Sequence, residues 1–459
     1  MPRTNSLASV EIDVGEEREE LPRPDPETPF HILLAGDFTG HATHHPRPIL
    51  IDRDNFEDVL ARLAPQLNLT LGQAALPLTF RDLDDFHPDS LFERLELFRR
   101  MRDLRRRLSD RATFAAAAAE ISAPPASRPA PEVANLSGAD LLRQMMGEAP
   151  VPRTAPAESD WDRMLRELVA PFAEPGPDPQ QPELIAQVDA AVTGQMRALL
   201  HHPRFQALEA AWRGVFFLVR RLETDESLKI SLLDISQAEF AGGSGLESLR
   251  RAVTGYAGGP TPFAVVAGLY SFGPRDEALL RSLAAIAHAA NAPLLAECSP
   301  DVLALPDAFG ALRHSPDARW VGLAMPRFLL RLPYGADTDS VERFAFEEMP
   351  ALPEHQRYLW CNPSVACATL LGEAFSRHGW DLRPGAVLDI EGLPLHLYRK
   401  DGDAVVKPCA ELLLTMKEVE AILDRGVMPL ISFRDTDRVR LARFQSMSEP
   451  SAPLAGKWS

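Results

Sequence analysis

Cysteine is scarce in this sequence, and acidic residues outnumber basic ones. The cysteines include no pair at CxxC spacing, which disfavours a zinc site, and they are too few for a disulfide framework. They are Cys298, Cys361, Cys367 and Cys409. We therefore expect free thiols in a reducing compartment. With 48 Lys and Arg against 65 Asp and Glu, the formal net charge is -17, so neither nucleic acid nor an anionic membrane is an expected partner.

Long apolar runs are also missing. No stretch approaches the roughly 18–20 consecutive apolar residues that a membrane-spanning helix requires. The first 27 residues are rich in Glu and Pro and lack the apolar centre of a signal peptide. We therefore predict a protein that stays in the cytoplasm and does not insert into a membrane.

The usual catalytic and cofactor motifs are not found either. The glycines at 242–245 are followed by no Lys-Ser or Lys-Thr pair, so they predict a flexible loop rather than a phosphate cradle. The adjacent histidines at 44–45 and 201–202 point in different directions on any regular element and predict no metal site. The acidic cluster of Asp82, Asp84 and Asp85, with Glu93 nearby, precedes a helix and favours N-capping. The sequence predicts no catalytic residue, no metal and no cofactor.

Composition divides the chain into four parts. Residues 1–27 predict a disordered acidic tail, because they offer little to bury. Residues 28–110 form a first α/β region, and residues 111–182 form an Ala/Pro-rich linker with short helices. Residues 183–459 form a second α/β region. The predicted fold class is α/β, with two such regions on one chain and mixed, partly parallel sheets.

Apolar periodicity places the elements of both regions. The first region has a buried strand at 30–35, a short alternating strand at 76–80, a helix at 55–63, and an amphipathic helix at 90–108. The outer face of that last helix is basic and includes Arg99, Arg102 and Arg106. The second region has a helical pattern from 184 to 222, with a break expected at Pro203. Strands follow at 229–234, 263–268 and 292–297. A helix at 277–290 separates the last two, which predicts a parallel pair with a crossover helix.

Three motifs of the first region resemble the small subunit of the type VI secretion sheath (TssB/VipA-like). They are FHILLAGDFTG at 30–40, IDRDNF at 51–56 and LTFRDLDDFHPD at 78–89. Three motifs of the second region resemble the large sheath subunit (TssC/VipB-like). They are LLHHPRFQALEAAWRG at 199–214, FLLRLPYG at 328–335 and YLWCNP at 358–363. Here both sets lie on one chain, whereas the family normally uses two.

This resemblance implies a structural α/β protomer without an active site. It implies self-assembly into a helical sheath around an inner tube, and contraction that drives the tube and its effectors towards a target cell. Exchanged β-strands from the chain ends are implied to link the protomers. The implied partners are the inner-tube protein, baseplate proteins and a recycling ATPase. The sequence GLPLH at 392–396 stands where a more glycine-rich motif is expected, so the identity of the exchanged strands stays open. A non-polymerising sheath-like adaptor or baseplate-associated module is the alternative function.

Several residues of the matched motifs are candidate interaction residues. Trp212 and Arg213 lie at a helix, where Trp212 either fills the core or touches another subunit. Arg331 and Tyr334 are expected to anchor a turn through a buried ion pair, with Glu209 or Glu347 as the partner. The basic face around Arg99, Arg102 and Arg106 is either solvated or contacts an acidic surface of a neighbouring protomer.

Overall fold

The computed structural model describes residues 24–41, 46–72, 74–122, 161, 164, 181–255, 262–305 and 307–458. The histidines at 44–45 and most of the predicted tail and linker therefore lie outside the described residues. Within the predicted linker, a helix covers Phe114–Ser122. The boundaries proposed from composition stay predictions.

One large sheet organises the described part of the chain. In chain order the strands are β1 (Phe30–Gly36), β2 (Ile49–Ile51), β3 (Gln66–Leu71), β4 (Ala74–Thr79), β5 (Leu228–Asp234), β6 (Val265–Phe272), β7 (Leu294–Cys298), β8 (Val321–Met325), β9 (Phe328–Leu329), β10 (Trp360–Cys361), β11 (Asp389–Ile390), β12 (Leu397–Lys400), β13 (Asp403–Val406), β14 (Met428–Ser432) and β15 (Val439–Leu441). The large sheet has the order β11-β15-β14-β8-β7-β6-β1-β5-β2. Separate two-stranded pairs are β3-β4, β9-β10 and β12-β13.

Strand β1 lies inside this sheet and joins the two predicted regions. It runs parallel to both β5 and β6, and Ile32 is in register with Ile230 on one side and Val265 on the other. Along β1, Ile32 packs into the cluster on one face of the sheet, whereas Leu33 packs into the cluster on the opposite face. A strand covered on both faces needs an unbroken apolar sequence. The two α/β regions therefore share one sheet, and the first region supplies a strand to its interior.

Helices cover both faces of the sheet. In chain order they are α1 (Phe56–Leu63), α2 (Pro88–Arg94), α3 (Glu96–Ser109), α4 (Phe114–Ser122), α5 (Gln181–Leu200), α6 (Pro203–Arg221), α7 (Gln237–Ala241), α8 (Ser244–Thr254), α9 (Glu277–Ala289), α10 (Gly310–Arg313), α11 (Pro363–His378) and α12 (Met416–Leu423). Buried residues of α6 and α11 belong to the core cluster on one face. Those of α8 and α9 belong to the cluster on the other.

Local caps explain why two of the matched motifs carry the residues they do. His202 caps α6, because its ring accepts a hydrogen bond from the Arg204 N–H, and Pro203 takes the first helical position. Asn362 caps α11 in the same way through the Ser364 N–H at 2.9 Å, and Pro363 follows it. Proline is favoured at a first helical position because its missing N–H would have no helical partner there.

Most predicted elements are present, with shifted ends. The break at Pro203 and the parallel pair β6-β7 with its crossover helix α9 are confirmed. The single helix predicted over 90–108 is wrong, because the chain is extended at Leu95 and separates α2 from α3. No proline or glycine marks that break. The predicted strand at 76–80 is β4, and it pairs with β3, which periodicity did not indicate.

Candidate functional site

A network of buried charges lies between helix α6 and the segment that follows β9. Glu209, on α6, has a fully buried side chain. Its Oε1 accepts hydrogen bonds from Arg213 Nε one helical turn later and from Arg331 Nε, each at 2.8 Å. The carboxylate of Glu209 therefore holds two guanidinium groups, one from its own helix and one from a distant segment.

Arg331 also binds a second buried carboxylate. Its Nη1 donates to Glu348 Oε2 at 2.7 Å, and its guanidinium carbon lies 4.1 Å from the centre of the Tyr334 ring. Burial by itself would lower the pKa of the Arg331 guanidinium, but Glu209 and Glu348 outweigh burial and hold that pKa well above its usual value. Arg331 is thus permanently charged and neutralised from both sides.

Glu348 completes the network. Its Oε2 accepts the backbone N–H of Tyr334 at 2.8 Å, and His201 Nε2 lies 3.2 Å from its Oε1. Burial would raise the pKa of Glu348, but Arg331 and these hydrogen bonds lower that pKa to about 2. The Tyr334 hydroxyl accepts a hydrogen bond from Arg213 Nη2 at 3.0 Å, and burial raises the pKa of Tyr334 to about 12.

We name these residues the Arg331 network: His201, Glu209, Arg213, Arg331, Tyr334 and Glu348. Removing one member of a buried ion pair leaves a charge without a partner, at a cost of about 3–5 kcal/mol. The network therefore fixes the segment after β9 against α6. The predicted ion pair between Arg331 and Glu209 is confirmed. The alternative partner Glu347 is wrong, because its side chain is exposed and accepts the Ala336 N–H, whereas its neighbour Glu348 points inwards.

Trp212 lies at the contact between α6 and the turn after β1. Its side chain is fully buried. The indole N–H donates to the Phe38 carbonyl at 2.9 Å, and the rings of Phe38 and Phe56 meet it edge-on with centroids at 5.8 and 5.9 Å. Trp212 therefore packs in the core of the protomer, which is the first of the two roles that the sequence suggested for it.

The basic face of α3 is largely occupied by contacts within the chain. Arg99 forms an ion pair with Glu96, and Arg106 forms one with Asp103. Arg102 donates to a backbone carbonyl on α2 at 3.0 Å. Arg99 and Arg106 are nevertheless 65% and 80% exposed, so water screens their ion pairs. Contact of this face with a neighbouring protomer stays a prediction.

Other candidate groups have structural roles. The cysteines are free thiols, as predicted, and they are also buried, which raises the pKa of Cys298 and Cys367 to about 12. Asp82 caps the short helix Leu83–Phe86, as the capping interpretation proposed.

In the part of the chain that the structure describes, no three His, Cys, Asp or Glu side chains are grouped to hold a metal ion. No helix there is long and apolar enough to cross a membrane.

Sequence comparison identifies the class of protein that carries this fold. Residues 182–311 and 306–448 match the family described as VipB, EvpB/VC_A0108, tail sheath N-terminal domain. Residues 10–121 match the family described as Type VI secretion system, VipA, VC_A0107 or Hcp2. The class is thus a sheath component of a type VI secretion system.

The chain belongs to the VipB tail sheath family and carries a VipA-like region ahead of the VipB-like region, as the motifs predicted. It is similar to the type VI secretion system sheath protein TssC1 of Pseudomonas aeruginosa strain PAO1, with 35% identity over 306 residues. The match covers 58% of this chain and 61% of that protein. The chain therefore spans less than two thirds of the length of this relative.

Proposed function

We propose that this chain polymerises in the cytoplasm into a contractile sheath around an inner tube, and that contraction of the sheath drives effector delivery. The observation that carries this proposal is the place of β1, which comes from the VipA-like region and lies between two strands of the VipB-like region. One chain thereby supplies the core of a protomer for which the sheath family normally uses two.

The proposed role is structural rather than catalytic. Contraction requires two packings of one polymer that differ in free energy, together with protomers rigid enough to move as bodies. The Arg331 network supports such rigidity, because moving the segment after β9 away from α6 would separate buried charges. The inner-tube protein, baseplate proteins and a recycling ATPase are the partners we propose from the family.

The hairpin β12-β13 is our candidate for a strand-exchange site. Among the described strands, β12 and β13 pair only with each other, which leaves the outer edge of each without a neighbour. Leu397, at the start of β12, is 60% exposed. Unpaired edges next to exposed apolar side chains favour addition of a strand from another chain.

Electron microscopy of the purified chain tests the proposal. Negatively stained samples should contain tubes of uniform diameter whose number rises with protein concentration. Leu397→Asp should remove the tubes without changing the free energy of unfolding by more than about 0.5 kcal/mol, because the side chain is exposed. Leu352→Asp is the matched control, since Leu352 is 58% exposed and lies outside the hairpin.

The outcomes separate the two candidate functions. Tubes from the wild type and from Leu352→Asp, but not from Leu397→Asp, support polymerisation through the hairpin. Discrete small particles from the wild type, at high concentration and after addition of the inner-tube protein, would contradict polymerisation and favour the adaptor or baseplate-associated role.

A further inference from the structure

A crevice opens at the carboxyl edge of the large sheet. Its lining includes Asp37, which directly follows β1, together with Leu269 of β6 and Glu297 of β7. In the sheet, β5 lies on one side of β1 and β6 lies on the other. The chain forms β5 before it forms β6, so the strand order reverses between β1 and β6. In open parallel sheets, ligands bind outside the carboxyl ends of the strands at such a reversal. We call this cavity the switch-point crevice.

The size and lining of the switch-point crevice suit a single side chain. Its volume is about 240 Å³, which is below the roughly 300–1,000 Å³ of most small-molecule sites. Leu67, Ala211 and Leu269 supply apolar wall. The charged groups of the lining are Asp37, Arg204, Glu297 and Arg327. An occupant with an aliphatic stem and a charged end matches this division.

The two arginines of the crevice lining already have other hydrogen-bond partners. Arg327 is engaged by Glu411, to which it donates two hydrogen bonds at 2.8 and 2.6 Å, and it lies 4.0 Å from Glu297. Arg204 donates to the carbonyls of Asn68 and Gly40. The lining therefore holds two carboxylates, of Asp37 and Glu297, and two guanidinium groups whose hydrogen bonds go mainly to other acceptors.

Glu297 is the carboxylate with the weakest compensation. Its side chain is only 13% exposed. It accepts hydrogen bonds from neutral donors, the Ser271 hydroxyl at 3.1 Å and the Asn362 amide at 3.4 Å. Burial raises the pKa of Glu297 to about 7, although Arg327 lies close by. A cation beside Glu297 would stabilise its ionised form.

We propose that the switch-point crevice binds the side chain of one lysine or arginine from a neighbouring copy of this chain. The aliphatic stem packs on the apolar wall, and the cationic group binds Glu297. This proposal rests on the proposed assembly of copies into a sheath, and it assigns to that assembly a specific charge-bearing contact.

Binding of small cations to the intact chain tests the crevice independently of assembly. The probes are n-butylguanidinium and n-butylammonium, with n-butanol as the neutral control of similar shape, and binding is measured by saturation-transfer NMR at pH 8. We expect both cations to bind at least tenfold more tightly than n-butanol, and Glu297→Gln to remove that difference. Glu449→Gln is the control, because Glu449 is 48% exposed and outside the crevice. Equal binding of cations and n-butanol to the wild type would overturn the proposal.

Assembly provides the second measurement. If the wild type forms tubes, Glu297→Gln should raise the critical concentration for assembly at least tenfold, and n-butylguanidinium should raise it for the wild type alone. An unchanged critical concentration for a folded Glu297→Gln variant would contradict the contact while leaving the sheath function intact. If the wild type forms no tubes, the proposed function fails and the NMR result decides whether the crevice binds cations. Should Glu297→Gln not fold, the comparison of probes on the wild type remains decisive.

Discussion

The indole N–H of Trp212 donates a hydrogen bond of 2.9 Å to the backbone carbonyl of Phe38, which lies 174 residues earlier in the chain. Both side chains are fully buried. The bond joins a helix of the VipB-like region to the turn that ends β1 in the VipA-like region. This hydrogen bond is thus one of the contacts that connect the VipA-like region to the VipB-like region.

Replacing Trp212 by phenylalanine tests that connection. Trp212→Phe leaves the buried Phe38 carbonyl without this donor, which costs about 1–3 kcal/mol, and the smaller ring adds a packing defect. Chemical denaturation should show that the free energy of unfolding falls by at least this amount. Trp458→Phe is the control, because among the described residues the buried Trp458 N–H has no hydrogen-bond partner. Equal losses for the two variants would show that the hydrogen bond contributes nothing.

The Arg331 network predicts a large effect of one substitution. Arg331→Met leaves Glu209 and Glu348 buried without their shared cation, so the free energy of unfolding should fall by about 3–5 kcal/mol. Arg343→Met removes an ion pair with Glu93 whose side chains are 59% and 45% exposed, and it should cost no more than about 1 kcal/mol. Urea denaturation of both variants measures the difference. Similar small losses would mean that the network does not hold the segment after β9.

The lowered pKa of Glu348 predicts a loss of stability in acid. Because that pKa is about 2 in the folded chain, against about 4.3 in an unfolded one, the stabilising contribution is present above pH 4.3 and is lost as the pH falls towards 2. Urea denaturation at pH 5, 4 and 3 should therefore show the wild type losing more stability than Glu348→Gln. Parallel pH profiles for the two chains would contradict the assignment.

Gly40 is expected to tolerate no side chain. Its φ is +77°, and a Cβ there would lie 2.1 Å from the backbone oxygen of Gln66, which cannot move without disturbing β3. Gly72 has a similar φ of +61° but open space around the position of a Cβ. Gly72→Ala should lower the free energy of unfolding by about 1–2 kcal/mol, because alanine is strained in the left-handed backbone conformation. Gly40→Ala should lower it clearly more, because the steric clash adds to that strain. Equal melting temperatures of the two variants would refute this steric account.

Local patterns in the sequence predicted much of the fold. The apolar runs predicted β1, β5, β6 and β7, and Pro203 marked the start of α6. The place of β1 between β5 and β6 could not be predicted, because strand pairing between segments about 200 residues apart leaves no local periodic signal. The break at Leu95 also escaped prediction, since nothing in its own residue type stops a helix.

The candidate site was predicted only in part. Arg331 and Glu209 were paired correctly because both lie in recognisable motifs, and a charged residue on an apolar helix face needs a partner. The second partner, Glu348, was missed because the sequence alone does not show which side chains of this irregular segment point inwards. The switch-point crevice depends on the order of strands in the sheet, which only the folded chain shows.

Native-state hydrogen exchange of the intact chain tests whether one sheet contains strands of both regions. We expect amides in Phe30–Gly36 to be protected to the same free energy as those in Leu228–Asp234 and Val265–Phe272, because β1 bonds to both neighbours and opens only when the sheet unfolds. Faster exchange of Phe30–Gly36, with the two flanking strands still protected, would contradict a sheet shared by the two regions, because β1 would then not be an integral strand of it.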